Sequence, residues 1–204
     1  MIEYSAVSSR PSSPSGAVTL MSQIKSAVKK QNYRSEKMNR KTRKSVVYLT
    51  RGALIAACYV ALTYVTNLFG LANGAIQFRV SEALCILPIF MPEAVPGLFI
   101  GCLISNLITS FNPFDIIFGS LATLIGAYGA WLLRGLPGRF LWVATIPTIL
   151  ANMLIVPPVL MFAYGVEDSF LWLAATVGIG EVVCAGILGS VLGYGMKKSK
   201  LKRF

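Results

Sequence analysis

Residues 170–196 read FLWLAATVGIGEVVCAGILGSVLGYGM, a stretch in which Glu181 is the one charged side chain. A helix of that length rises roughly 40 Å at about 1.5 Å per residue, and about 20 apolar residues already cross a hydrocarbon core ~30 Å thick. The same character extends outward along the chain. Between Arg51 and Arg134 the charged residues are Arg79, Glu82, Glu93 and Asp115; between Arg139 and Lys197 they are Glu167, Asp168 and Glu181. With 55% hydrophobic and 13% charged residues among 204, the solvent of this chain is lipid.

Six apolar segments fit an alternation of sides, so the expected fold is an all-α integral membrane bundle of six transmembrane helices. Helix 1 is expected over about 46–65, followed by an Asn- and Gly-rich outer loop over 67–78. Helix 2, short, is expected over 79–91, with an inner turn over 92–96, and helix 3 over 97–110. Helix 4 follows the Asn112-Pro113 turn over 114–133, and an inner loop covers 134–139. Helix 5 is expected over 140–164, an acidic outer turn at Glu167-Asp168, and helix 6 over 170–196. On this plan eighteen of nineteen Lys/Arg lie on one side, only Arg79 falling on the other. The positive-inside rule then makes both termini cytoplasmic and the protein a multi-pass component of the plasma membrane.

Three domains follow. Residues 1–44, Ser-rich and then basic, have no sustained apolar face and are expected to form a disordered cytoplasmic tail. Residues 45–198 form the membrane domain, and 199–204 a second basic tail. The net charge of +11 resides in these tails rather than on a face with interleaved aromatics, so nucleic acid is not the expected partner.

The chain has no histidine, and Cys58, Cys85, Cys102 and Cys184 lie singly without C-x-x-C pairing. No metal, cofactor or disulfide framework is expected, the usual general base is missing, and no enzyme is expected. No P-loop motif occurs, so any ATP energy comes from a partner.

A charged side chain in hydrocarbon costs on the order of 3 kcal/mol, which makes each one a functional candidate. Glu181, Asn152 and Asn106 fall roughly 14–18 Å from a surface at about 1.5 Å per residue, near the midplane, on three different helices. Gln77, Arg79, Ser81 and Glu82 at the start of helix 2 and Asp115 at the start of helix 4 lie nearer the outer face. Together with the deeper three they describe a polar funnel open to the outside and closed beneath, suited to capturing a solute. Bland roles stand beside these. Arg79 and Glu82, at i,i+3, can pair with each other; Asp115 can stabilise a helix N-terminus; Asn106 and Asn152 can join helices. Glu181 has no basic partner in its own segment.

Small residues recur every four positions at Ala53, Ala57 and Ala61 on helix 1, at Gly97, Gly101 and Ser105 on helix 3, and at Ala185, Gly189 and Gly193 on helix 6. Such stripes permit close helix approach, either within the bundle or to a partner, and spacing alone does not choose.

The block Ile76-Gln77-Phe78-Arg79-Val80-Ser81-Glu82-Ala83-Leu84, then Leu87-Pro88, Gly97-Leu98, Gly101-Cys102 and Ser105-Asn106, and finally Asp115-Ile116 with Phe118-Gly119-Ser120-Leu121-Ala122-Thr123, resembles the QueT family of queuosine-precursor transporters. These are substrate-binding S components of energy-coupling factor (ECF) transporters. The resemblance covers about 43–198. It implies a six-helix S component that binds a 7-deazaguanine such as preQ1 and docks on a transmembrane T component with two ATPase subunits. It also implies that Ala53, Ala57 and Ala61 meet the T component and that residues 68–77 cap the pocket. The chemistry is compatible: preQ1 carries an aminomethyl cation and a guanine-like edge, for which carboxylates and amides are the matching groups. The alternatives are an S component for another vitamin or nucleobase-like solute, a gradient-driven solo carrier, or an intramembrane enzyme.

Overall fold

The computed structural model describes residues 14–70 and 78–199, and every regular element among them is helical. The chain divides into two units, 1–47 and 48–204. Helix α1 runs Pro14–Leu68. In the first unit the segment expected to be a tail is helical from Pro14 onward. No Gly or Pro occurs from Ala17 to Arg51, and Lys, Arg, Gln, Met and Ala are good helix formers, so nothing breaks the helix. The described side chains there are exposed, as expected of a segment without an apolar face.

In the second unit α1 is followed by α2 (Val80–Ile89), α3 (Ala94–Thr109), α4 (Asp115–Gly135), α5 (Gly138–Tyr164) and α6 (Phe170–Lys198). Among the described residues four helices are long and apolar enough to cross a membrane: α1, α4, α5 and α6. The six-span expectation therefore stands at four such helices, with α2 and α3 shorter at 10 and 16 residues. Helix α2 is a 3-10 helix, whose rise of about 2.0 Å per residue stretches ten residues over roughly 20 Å where an α-helix would reach about 15 Å. It is also the central element: Ser81, Glu82, Ala83 and Cys85 through Ile89 are all buried. A helix apolar on every side requires neighbours on every side.

Glycine contacts hold the bundle together. A Cβ at Gly97 would lie 2.6 Å from the Gly52 carbonyl oxygen, and one at Gly101 3.0 Å from the Ala56 Cα, so α3 meets α1 backbone to backbone. A Cβ at Gly193 would strike Ile86 at 2.9 Å, and one at Gly126 the Thr148 Cα at 2.7 Å, seating α6 on α2 and α4 on α5. At one end of α3, Arg51 pairs with Glu93 at 3.2 Å. At the other, Asn112 accepts the Phe114 N–H at 3.0 Å and donates to the Ala163 carbonyl at 3.2 Å, tying the α3–α4 turn to the end of α5.

Candidate functional site

The buried polar residues of the second unit converge around α2. Arg79, in extended conformation just before α2, directs Nη2 to Asp115 Oδ2 at 3.6 Å. The local i,i+3 pairing of Arg79 with Glu82 is thus displaced by a pairing across helices. Glu82, 1% exposed, instead accepts a hydrogen bond from the Tyr59 hydroxyl of α1, with the Cys85 thiol at 3.1 Å and the Thr123 hydroxyl of α4 at 3.3 Å. Beside it the Thr63 hydroxyl donates to Ser81 at 2.7 Å. Three helices thereby supply uncharged donors around one carboxylate.

Asn106, fully buried on α3, donates from Nδ2 to the Asp115 carbonyl at 3.1 Å, which joins α3 to the start of α4. Its Oδ1 has no partner. Asp115 also receives the Tyr164 hydroxyl at 3.4 Å. Gly119 lies in the middle of this group: a Cβ there would come within 2.8 Å of Asn106 Nδ2 and 3.2 Å of Asp115 Oδ1. Glu181 on α6 and Asn152 on α5, each 5% exposed, are neighbours, and Glu181 lies within electrostatic reach of Glu82 and Arg79. The Asn152–Glu181 contact falls short of a closed hydrogen bond, because Asn152 Nδ2 and Glu181 Oε2 are both without partners.

Two wide helical turns frame these residues. The segments Asp115–Gly119 and Val182–Leu188 are π-helical, the first beginning with Asp115 and the second directly following Glu181. Such turns rotate the register of a helix and concentrate at functional sites.

Of the expected solute-contacting residues, Arg79, Glu82, Asn106, Asp115, Asn152 and Glu181 fall into this one buried neighbourhood. Gln77, and residues 71–77 of the expected cap, lie outside the described residues. Among these, Glu82, Asn106, Asp115, Asn152 and Glu181 are buried and Arg79 is partly so, its side chain 13% exposed. Tyr59, Thr123 and Gly119 belong to the cluster without having been expected. Tyr59 was legible in principle, since Tyr59, Thr63 and Thr66 repeat at helical spacing as a hydroxyl face within an apolar segment.

Ala53, Ala57 and Ala61 are exposed, whereas Gly52 and Ala56, one position earlier, make the contacts with α3. The three alanines line a groove of about 800 Å³ with Gly97, Ile100 and Ile104. The α3 stripe of Gly97 and Gly101 and the α6 stripe of Gly189 and Gly193 are consumed by internal packing.

The family model described as QueT transporter matches residues 49–198. This chain belongs to the QueT transporter family. The QueT match begins at 49, one residue into the second unit, and takes in every residue of the buried cluster. Over 73 residues the chain is 44% identical to the queuosine precursor transporter QueT of Lactococcus lactis subsp. cremoris (strain MG1363), which covers 36% of this chain and 43% of that QueT protein. The chain thus aligns with less than half the length of this QueT relative. No solved structure matches.

Proposed function

We propose that this chain is the membrane-embedded solute-binding subunit of an ECF-type transporter, capturing a queuosine precursor such as preQ1 from outside the cell. The observation that carries the proposal is the distribution of unsatisfied polar atoms. Six buried side-chain atoms among the described residues have no partner, and four of them belong to Arg79, Asn106, Asn152 and Glu181. A purely structural polar network closes its hydrogen bonds, because each orphan costs on the order of 1–3 kcal/mol. Arg79 Nε and Asn152 Nδ2 are donors, while Asn106 Oδ1 and Glu181 Oε2 are acceptors. A guanine-like edge, with N–H donors beside a carbonyl, complements two donors and two acceptors. Family membership supports the same class of solute.

The ATP needed for uptake comes from partner subunits, a transmembrane T component and two ATPases, with the termini of this chain on the cytoplasmic side. The exposed Ala53, Ala57 and Ala61 support such docking, since a smooth row of methyl groups lets another helix approach closely and internal packing does not use it. The protein acts as a binding subunit and not as an enzyme. Mass spectrometry of what copurifies with the protein in detergent, followed by calorimetric titration with preQ1, tests the proposal. A 7-deazaguanine bound at a one-to-one ratio is expected. A different vitamin in its place would retain the architecture and reject the solute.

A further inference from the structure

Helices α4 and α5 leave an apolar groove of about 610 Å³ between them on the surface of the bundle. Its walls are Tyr128 and Leu132 of α4 and Leu150 and Leu154 of α5, all exposed. Its floor is at Gly129, where a Cβ would lie 2.5 Å from the Pro147 Cβ, so the helices meet there with no side chain between them. From Leu124 to Leu132 the α4 wall extends roughly 12 Å at about 1.5 Å per residue. A groove facing lipid is filled by hydrocarbon, because an empty one forfeits the dispersion contacts of its lining. One end of this groove is cationic. Tyr128 stacks on Trp131 with ring centroids 5.5 Å apart, and Arg134 Cζ lies 4.1 Å over the Trp131 ring. Arg139, at the far end of the same short loop, has Cζ 5.0 Å from the Phe140 ring centroid, and its carbonyl accepts the Tyr194 hydroxyl at 2.8 Å. Lys197 of α6 reaches the loop too, since a Cβ at Gly138 would lie 2.5 Å from its Nζ. No Asp or Glu occurs over 116–166 or after Glu181, so neither segment brings an acid of its own to these three cations.

We infer that the α4–α5 groove and its cationic end form a site for one anionic phospholipid, with an acyl chain in the groove and the phosphate at Arg134 and Arg139. Membrane topology by itself asks for cations in a loop, but not for an apolar groove that leads to them past stacked aromatic rings. Tyr and Trp favour headgroup depth, and a guanidinium anchored against such a ring is placed to donate paired N–H bonds to a phosphate. Basic pockets between membrane helices hold anionic headgroups for this reason. A zwitterionic lipid offers the same chain, but its own ammonium group opposes the three cations of the loop. Inorganic phosphate would meet the arginines and leave the groove without hydrocarbon, so the occupant is a lipid.

The full chain, delipidated in detergent, is titrated with palmitoyl-oleoyl phosphatidylglycerol, which is anionic, and with the phosphatidylcholine of identical chains, and the first bound lipid is followed by native mass spectrometry. The wild type is expected to retain phosphatidylglycerol on the order of tenfold or more tightly than phosphatidylcholine, the range of two cations near a headgroup. The double variant Arg134→Gln, Arg139→Gln is expected to lose that preference; both side chains are exposed, so the fold does not depend on them. Leu150→Trp, which fills the groove and leaves the cations in place, is expected to weaken both lipids. Lys29→Gln with Lys30→Gln, on the exposed part of α1, is the charge-matched control and should bind as the wild type does. Equal wild-type binding of the two lipids would overturn the anionic selection. A preference kept by the arginine double variant, or lost equally in the lysine control, would overturn the assignment to this loop. Wild-type binding by Leu150→Trp would overturn the seating of the chain in the groove.

Discussion

The hydroxyl of Tyr59 on α1 donates to the carboxylate of Glu82 on α2, with both side chains at 1% exposure or less. The residues flanking Tyr59 on α1, Ala56, Ala57 and Val60, line the surface groove that carries the alanine row. One helix therefore has its hydroxyl face on the polar cluster and its methyl face on the exterior.

Tyr59→Phe removes a donor from a buried carboxylate and leaves the ring in place. The loss is expected to be about 1–3 kcal/mol of stability, since the uncompensated acceptor bears the cost. Unfolding in detergent, followed with and without solute, checks this. An unchanged midpoint would mean that Thr123 and Cys85 satisfy Glu82 by themselves.

Gly119→Ala should impair solute binding by displacing two side chains of the polar cluster. The new Cβ would sit 2.8 Å from Asn106 Nδ2 and 3.2 Å from Asp115 Oδ1, so both must shift. Gly135→Ala, which meets nothing within 4 Å, is the matched control. Calorimetry on the pair is expected to give at least tenfold weaker binding, or about 1.4 kcal/mol, for the first and wild-type affinity for the second.

Ala57→Trp places a large ring on the exposed row without touching the buried cluster. Uptake and copurification with partner subunits should be lost while calorimetric solute binding is kept, because close helix approach depends on small side chains. Transport at the wild-type rate would remove the docking role from this face.

Cysteines introduced at Glu167 and at Ser199 should label from opposite sides of the membrane if α6 (Phe170–Lys198) crosses it. With the cationic ends inside, Ser199→Cys is expected to react only after permeabilisation and Glu167→Cys in intact cells. Labelling of both from one side would refute that topology.

The apolar segments and their order followed from the sequence alone, because a run without charge has one affordable solvent and the period of a helix needs no partner to be read. Apart from the first end of α1, at Pro14 where 46 was expected, the ends of the helices came out within a few residues: α5 begins at Gly138 where 140 was expected, and α6 closes at Lys198 where 196 was expected. Which polar side chains fall within the apolar segments was also legible, since each burial cost is local and is known from residue type and depth.

Pairing was decided only by the tertiary structure. Arg79 has an acid three residues away in Glu82 and takes one from another helix in Asp115, because Arg79 is itself extended and the start of α4 is brought to it. Likewise Gly52 and Ala56 on one row of α1, and Ala53 and Ala57 on the next, have the same four-residue repeat. Adjacent rows lie about 100° apart on a helix, and periodicity carries no information about which row meets α3. Composition and spacing are properties of one segment and so can be read from it, whereas a contact belongs to two segments and exists only once the bundle has closed.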